Sequence, residues 1–170
     1  NIAEFNLQPF PVWTYKIGKT TIERSVFMPH GKNTTVVIWR VIEGESKIGL
    51  DVRPLVSFAD YHHLRSEDPA FDGIFSTSAG SVSFKPYADL PALNIAFTKA
   101  SVEPTGYWYR NFEYPIEKER GFDFHEDLYQ PFEIQFDPND SFSVILSTEP
   151  ADARSAERLE ESERERRNEL

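Results

Sequence analysis

Thr34-Thr35-Val36-Val37-Ile38-Trp39-Arg40-Val41-Ile42 is the stretch on which the fold turns. β-branched residues lose side-chain freedom in a helix and pack well on a pleated surface, so this run reads as a strand. Upstream lie strand-like residues 13–17, a Gly18-Lys19 turn, residues 21–28, and a turn through Pro29-His30-Gly31-Lys32-Asn33. Downstream, Glu43-Gly44-Glu45 turns the chain into residues 47–55. The segment 12–55 is therefore expected to be a meander of consecutive antiparallel strands.

Past Asp60 the chain becomes irregular, and Ser66-Glu67-Asp68-Pro69 suits the start of a turn or of a short helical turn. Strands are expected again at residues 80–86, 92–98, 100–104 and 106–114. Phe132, Ile134 and Phe136 then alternate with Glu133 and Gln135, and Pro138-Asn139-Asp140 turns into a last strand at 142–148. Many short strands at this spacing predict an all-β fold of two packed antiparallel sheets. Twelve prolines, most of them bordering these runs, agree with strands that end abruptly.

From Ala151 the composition shifts to Arg, Glu and Ala, with Glu160/Arg164 and Glu163/Arg167 at the helical i,i+4 spacing. Leu159 and Leu170 are almost the only large apolar residues there, so a helix in this segment is expected to find no face to bury and to project or fray. The division expected is a β-sandwich over 1–150 and a charged helical linker or tail over 151–170. That ending, and a start at Asn1 without methionine, are what a piece of a longer protein would show.

The length suits one domain with one sizeable core, and 39% hydrophobic residues supply its apolar mass. A net charge of -10 argues against nucleic acid or an anionic membrane as partner, since both need a basic face. The chain has no cysteine, which excludes disulfides and thiolate chemistry and fits a reducing cytoplasm. No apolar stretch is long enough to span a bilayer as a helix.

Two polar-aromatic stretches stand out. In the first, Arg53-Pro54-Leu55 precedes Asp60-Tyr61-His62-His63-Leu64. If it is extended, Asp60 and His62 share one face and Tyr61 and His63 the other. Two histidines without a third well-spaced ligand do not make a metal site, so no metal is expected. Two readings stay open. Asp60, His62 and His63 satisfy backbone groups where a strand leaves the sheet, with Arg53 pairing a carboxylate, or the cluster faces a cleft and hydrogen-bonds a hydroxyl-rich ligand or another domain.

The second stretch places Tyr107 and Tyr109 on one face and Trp108 and Arg110 on the other, with Asn111, Phe112, Glu113 and Tyr114 beyond. Sugars are held by rings laid on their C–H faces and by planar polar groups that pair with hydroxyls, and this stretch supplies both, although such aromatics also build cores. The carboxylates Glu117, Glu119, Asp123, Glu126 and Asp127 are of the type a glycosidase needs in pairs. With 28 acidic residues in the chain, chance pairs are abundant and most are expected to be solvated or to cap turns. No phosphate-binding glycine loop, serine elbow or zinc signature is present. No catalytic residue and no cofactor is assigned.

Three blocks together resemble the N-terminal domain of bacterial and archaeal glycogen debranching enzymes of the amylo-α-1,6-glucosidase family. They are Arg53-Pro54-Leu55 with Asp60-Tyr61-His62-His63-Leu64, then Trp108-Tyr109-Arg110-Asn111-Phe112-Glu113-Tyr114-Pro115, then Glu119-Arg120-Gly121-Phe122-Asp123-Phe124-His125-Glu126-Asp127-Leu128. The resemblance spans residues 17–148. It implies a β-supersandwich preceding a helical α/α toroid that carries the catalytic carboxylates for α-1,6 branch cleavage, and leaves a 4-α-glucanotransferase activity open. It implies no catalytic residue here. Arg53, Asp60, His62, His63, Tyr107, Trp108, Arg110, Asn111 and Glu113 become candidates for α-glucan binding or for docking on the toroid.

Three functional readings follow. The first is a non-catalytic domain that supports the toroid and lines its glucan cleft. The second is an autonomous carbohydrate-binding module using coplanar exposed aromatics, for which Trp13, Trp39 and Trp108 are the first candidates, with Trp39 expected in the core. The third is an assembly module pairing through a free sheet edge.

Overall fold

The structure is a computed structural model that describes residues 1–44, 47–60 and 63–169. Its strands in chain order are β1 (Ile2–Asn6), β2 (Val12–Ile17), β3 (Thr20–Phe27), β4 (Thr34–Glu43), β5 (Ile48–Val52), β6 (Phe75–Ser78), β7 (Ser81–Phe84), β8 (Leu93–Phe97), β9 (Ala100–Glu113), β10 (His125–Asn139) and β11 (Ser141–Ser147). A short helix α1 (Pro115–Glu119) lies between β9 and β10, and α2 (Ala156–Asn168) follows a 3-10 turn at Ala153–Ser155. The strands form two antiparallel sheets, one of eight strands in the order β1-β2-β3-β4-β11-β8-β7-β6 and one of three in the order β5-β10-β9. The fold is thus the all-β two-sheet arrangement expected.

The continuous apolar run in β4 exists because both of its faces are covered. Val36 and Ile38 join Phe10, Phe27, Ala96, Ile145, Ala153 and Ala156 in a core on the helical side. Trp39 packs, half-buried, against the other core, where Val82, Phe84, Ile95, Phe97, Phe142 and Val144 of the large sheet meet Phe132, Ile134 and Phe136 of the small one. The alternation in β10 is therefore the inward half of an inter-sheet core, with Glu133 and Gln135 outward. β11 is buried on both faces for the same reason as β4, which it pairs from Thr34↔Ser147 to Arg40↔Ser141.

Three expectations are corrected. The meander ends at β4: β5 crosses to the other sheet and pairs with β10. Residue 45 of the expected turn lies outside the described residues, but where the chain leaves β4 Gly44 is required, with φ +101 and a position where a Cβ would meet the Lys19 carbonyl oxygen at 2.4 Å. Residues 100–113 form one long strand rather than two, because the Pro104-Thr105-Gly106 step is absorbed as an irregularity opposite Gln130/Phe132. Finally, α2 lies on the large sheet rather than projecting.

Its buried face joins Ala156, already in the core, to two glutamates, which a count of large apolar residues does not detect. Glu160 accepts from Arg40 Nη2 at 2.5 Å and from Ser25 Oγ at 3.2 Å. Glu163 accepts from Arg166 Nη2 at 2.8 Å, Arg167 Nε at 2.6 Å and the His30 backbone N–H at 3.1 Å. Arg167 also donates to the Pro9 carbonyl at 2.8 Å and, with Arg164, lies over the Phe10 ring. Paired in this way, buried carboxylates are tolerated. No helix among the described residues is long and apolar enough to cross a membrane.

Candidate functional site

β9 and β10 are much longer than β5, so beyond residue 134 toward the chain reversal they continue as a two-stranded ribbon. The segment after β5 runs beside this ribbon, tied by a Val56↔Tyr129 bridge and by Asp127 N–H donating to the Arg65 carbonyl at 2.7 Å. The two stretches singled out in the sequence are thereby brought together.

Their junction is a polar clasp. Asp127 Oδ1 accepts from the Asn111 backbone N–H at 2.8 Å, and its Oδ2 accepts from the Glu67 N–H at 2.7 Å. Arg110 Nε donates to Glu67 Oε2 at 2.5 Å. The two backbone N–H groups hold the Asp127 carboxyl below its ordinary range, and Glu67 holds Arg110 above its own. Asn111 has φ +57, a left-handed conformation that asparagine tolerates better than most residues, where the strand register shifts. A second layer follows: Arg65 Nη1 donates to Tyr87 Oη at 3.0 Å, and Tyr87 donates to Asp68 Oδ2 at 2.8 Å. Glu67, Asp68, Tyr87 and Asp127 were not among the candidate residues. The signal available for Asp127 was its place in the third family block, and for Glu67 and Asp68 the turn chemistry at Pro69.

Trp108 is half-buried, 5.0 Å from Phe71 and 5.0 Å from Tyr129, within a cluster that extends to Phe84 and Phe58. Gly73 makes room for this cluster, since a Cβ there would lie 2.3 Å from the Tyr129 hydroxyl. Phe71 also meets the Tyr87 ring at 5.5 Å, which joins this aromatic cluster to the second polar layer. Trp13 is flanked by Phe5 at 5.1 Å and by the Arg24 guanidinium at 4.4 Å.

Tyr107 and Tyr109 lie on the opposite, outer face, 60% and 41% exposed. Tyr109 Oη donates to Gln130 Oε1 at 2.9 Å, and the Gln130 amide donates to Thr105 Oγ1 at 3.1 Å. Arg53 pairs with Glu133, which Gln135 also supports at 3.0 Å. The Gln135 and Arg53 donors hold the Glu133 carboxyl down, and Glu133, with a smaller contribution from Tyr109, raises Arg53. The outer face therefore carries two exposed rings, of which Tyr109 is anchored by its hydroxyl, and the Arg53–Glu133 pair.

The remaining candidates are dispersed. Glu113 faces His125 at 3.3 Å near the ribbon tip, where Tyr114 donates to Glu126 at 2.7 Å and that bond raises the phenol to about 12. Asp60 and His63 form an exposed local pair, Oδ1 to Nδ1 3.3 Å, and the His63 N–H donates to the Asp60 carbonyl at 3.0 Å. His62 lies outside the described residues. Among the described residues, no three metal-ligating side chains converge.

A search of curated proteins finds no match. The sequence model of the family described as "Glycogen debranching enzyme N terminal" matches residues 1–144. That span takes in both sheets up to Val144 of β11, including the clasp and the outer face of the ribbon, and on it the chain belongs to the glycogen debranching enzyme N-terminal domain family.

Proposed function

We propose that this chain is a non-catalytic domain of a glycogen debranching enzyme, one that supports the α/α-toroid catalytic domain and lines its α-glucan site with the outer face of the ribbon. The family is that of an N-terminal domain, so other domains belong to the same polypeptide. The parent activity in this reading is amylo-α-1,6-glucosidase.

The observation that carries the reading is the pair of exposed rings, Tyr107 and Tyr109, the latter anchored on the buried Gln130 amide and close enough to Arg53 to act on its charge, on a face that the domain itself leaves uncovered. Rings of this kind stack on sugar C–H faces, while planar amide, guanidinium and carboxylate groups address paired hydroxyls. The non-catalytic part is supported by the carboxyls. A glycosidase acid needs a raised carboxyl. Asp68, Asp127 and Glu133 are instead held low by backbone N–H groups, a phenol, an amide and Arg53.

The test is the double change Tyr107→Ala/Tyr109→Ala in the intact enzyme. Loss of two stacking rings raises KM for a branched α-glucan about fivefold or more, with kcat little changed. Unchanged KM together with unchanged domain association refutes the reading. The same tyrosine pair also favours an autonomous carbohydrate-binding module, and titrating the isolated chain with linear and branched α-glucans under tryptophan fluorescence separates the two. Saturable binding by the chain alone selects the module.

A further inference from the structure

The inward face of the large sheet is covered unevenly: residues of β4, β7, β8 and β11 pack against the small sheet, and no residue of β1 or β2 joins that core. At the border lies a cavity of about 290 Å3 whose walls include Val37, Trp39, Val52, Pro54 and Ile134. Among the described residues, Arg24 is the one charged residue lining it. Its guanidinium lies over the Trp13 ring at 4.4 Å and the Tyr15 ring at 5.5 Å. Arg24 Nε is buried and has no hydrogen-bond partner, and no carboxylate of the described residues pairs with the group. Arg40, Arg53 and Arg110, by contrast, each hold a carboxylate.

A buried donor left unmade is costly, and a guanidinium already fixed by two rings has little further freedom to lose when an acceptor arrives. We propose that this cavity receives an apolar segment bearing a carboxylate, contributed by another domain of the same polypeptide, with the carboxylate on Arg24 and its apolar neighbours filling the space. This deepens the docking reading given above and rests on it. Charge complementarity selects the acid: in a domain of net charge -10, a guanidinium with a buried Nε that no carboxylate of the described residues pairs stands out. The apolar walls select its neighbours. A glucan fits less well, because the lining offers few polar groups to its hydroxyls and the Trp13 ring is already flanked by Arg24 and Phe5.

Phenylglyoxal, which modifies accessible guanidinium groups, provides the test, with modification of Arg24 followed by peptide mass spectrometry in the isolated chain and in the intact enzyme. Arg24 is expected to react in the chain and to be protected about tenfold or more in the enzyme. Arg24→Gln is expected to leave the melting of the chain nearly unchanged and to separate the unfolding of the domain from that of the rest of the enzyme. Equal reactivity in both settings, in an enzyme that unfolds as one unit, overturns this inference and leaves the docking reading standing. Equal reactivity in an enzyme whose domains unfold independently overturns both. Protection of the isolated chain by maltoheptaose overturns the inference in favour of a sugar ligand. Lack of reaction in the isolated chain also overturns it, because the groove is then closed without a partner.

Discussion

Replacing Glu163 by Gln removes the charge on which the hold of α2 depends. The Glu163 side chain is 3% exposed, and donors from Arg166, Arg167 and the His30 backbone move its carboxyl from 4.5 to about 2, with Arg166 contributing most. By linkage, a shift of that size contributes about 3 kcal/mol near neutral pH. Solvent around the partly exposed arginines, 37% and 30% accessible, reduces this to about 2 kcal/mol. Because the folded carboxyl is depressed, the contribution is complete above the unfolded value of 4.5 and is lost as pH falls toward about 2. Urea unfolding of wild type and Glu163→Gln, followed by tryptophan fluorescence, is therefore expected to differ by about 2 kcal/mol near neutral pH, and by about 40% less near pH 3.5. A gap that stays constant between the two conditions, or that never exceeds about 0.5 kcal/mol, refutes the ionic account of helix docking.

The clasp makes its own prediction: Asp127→Ala leaves the Glu67 and Asn111 backbone N–H groups without their acceptor, costs about 1–2 kcal/mol, and speeds hydrogen exchange at those two amides. Unchanged exchange would exclude the clasp. Gly44→Ala is expected to lower the melting temperature more than Gly73→Ala, because the first meets backbone at positive φ and the second meets only the Tyr129 side chain; thermal scans decide the order. In the intact enzyme, Asp60→Ala or His63→Ala is expected to reduce debranching or domain association while leaving the unfolding of the isolated chain nearly unchanged, since both side chains are exposed. Unaltered turnover and association would remove that pair from the site.

Strands were legible wherever one face is buried and the residues alternate, as from Phe132 to Phe136, or where both faces are buried, as in β4. β1 was not, because every residue in it is exposed and its only signature is pairing with β2. The crossing of β5 depends on which sheet has room for it, a tertiary matter that the Glu43-Gly44-Glu45 turn does not encode. The docking of α2 was hidden because, apart from Ala156, its buried residues are Glu160 and Glu163, whose partners Arg40, Ser25 and His30 lie more than a hundred positions away. In the candidate site, Arg110 and Asn111 stood out as polar groups among aromatics. Their true neighbours, Glu67 and Asp127, look like ordinary solvated acids until the ribbon brings them together.

The pairing of β4 with β11 has a consequence for the order in which the chain folds. Thr34 and Ser147 share a hydrogen bond of 2.8 Å across 113 residues of sequence, whereas β2, β3 and β4 pair with their immediate neighbours. The amino-terminal hairpins can form early, but β4 then waits as an open edge, carrying Val36, Val37 and Ile38, until the last strand has been synthesised. A nascent or truncated chain lacking β11 presents that edge to any other extended segment, so aggregation of such fragments follows from the topology itself.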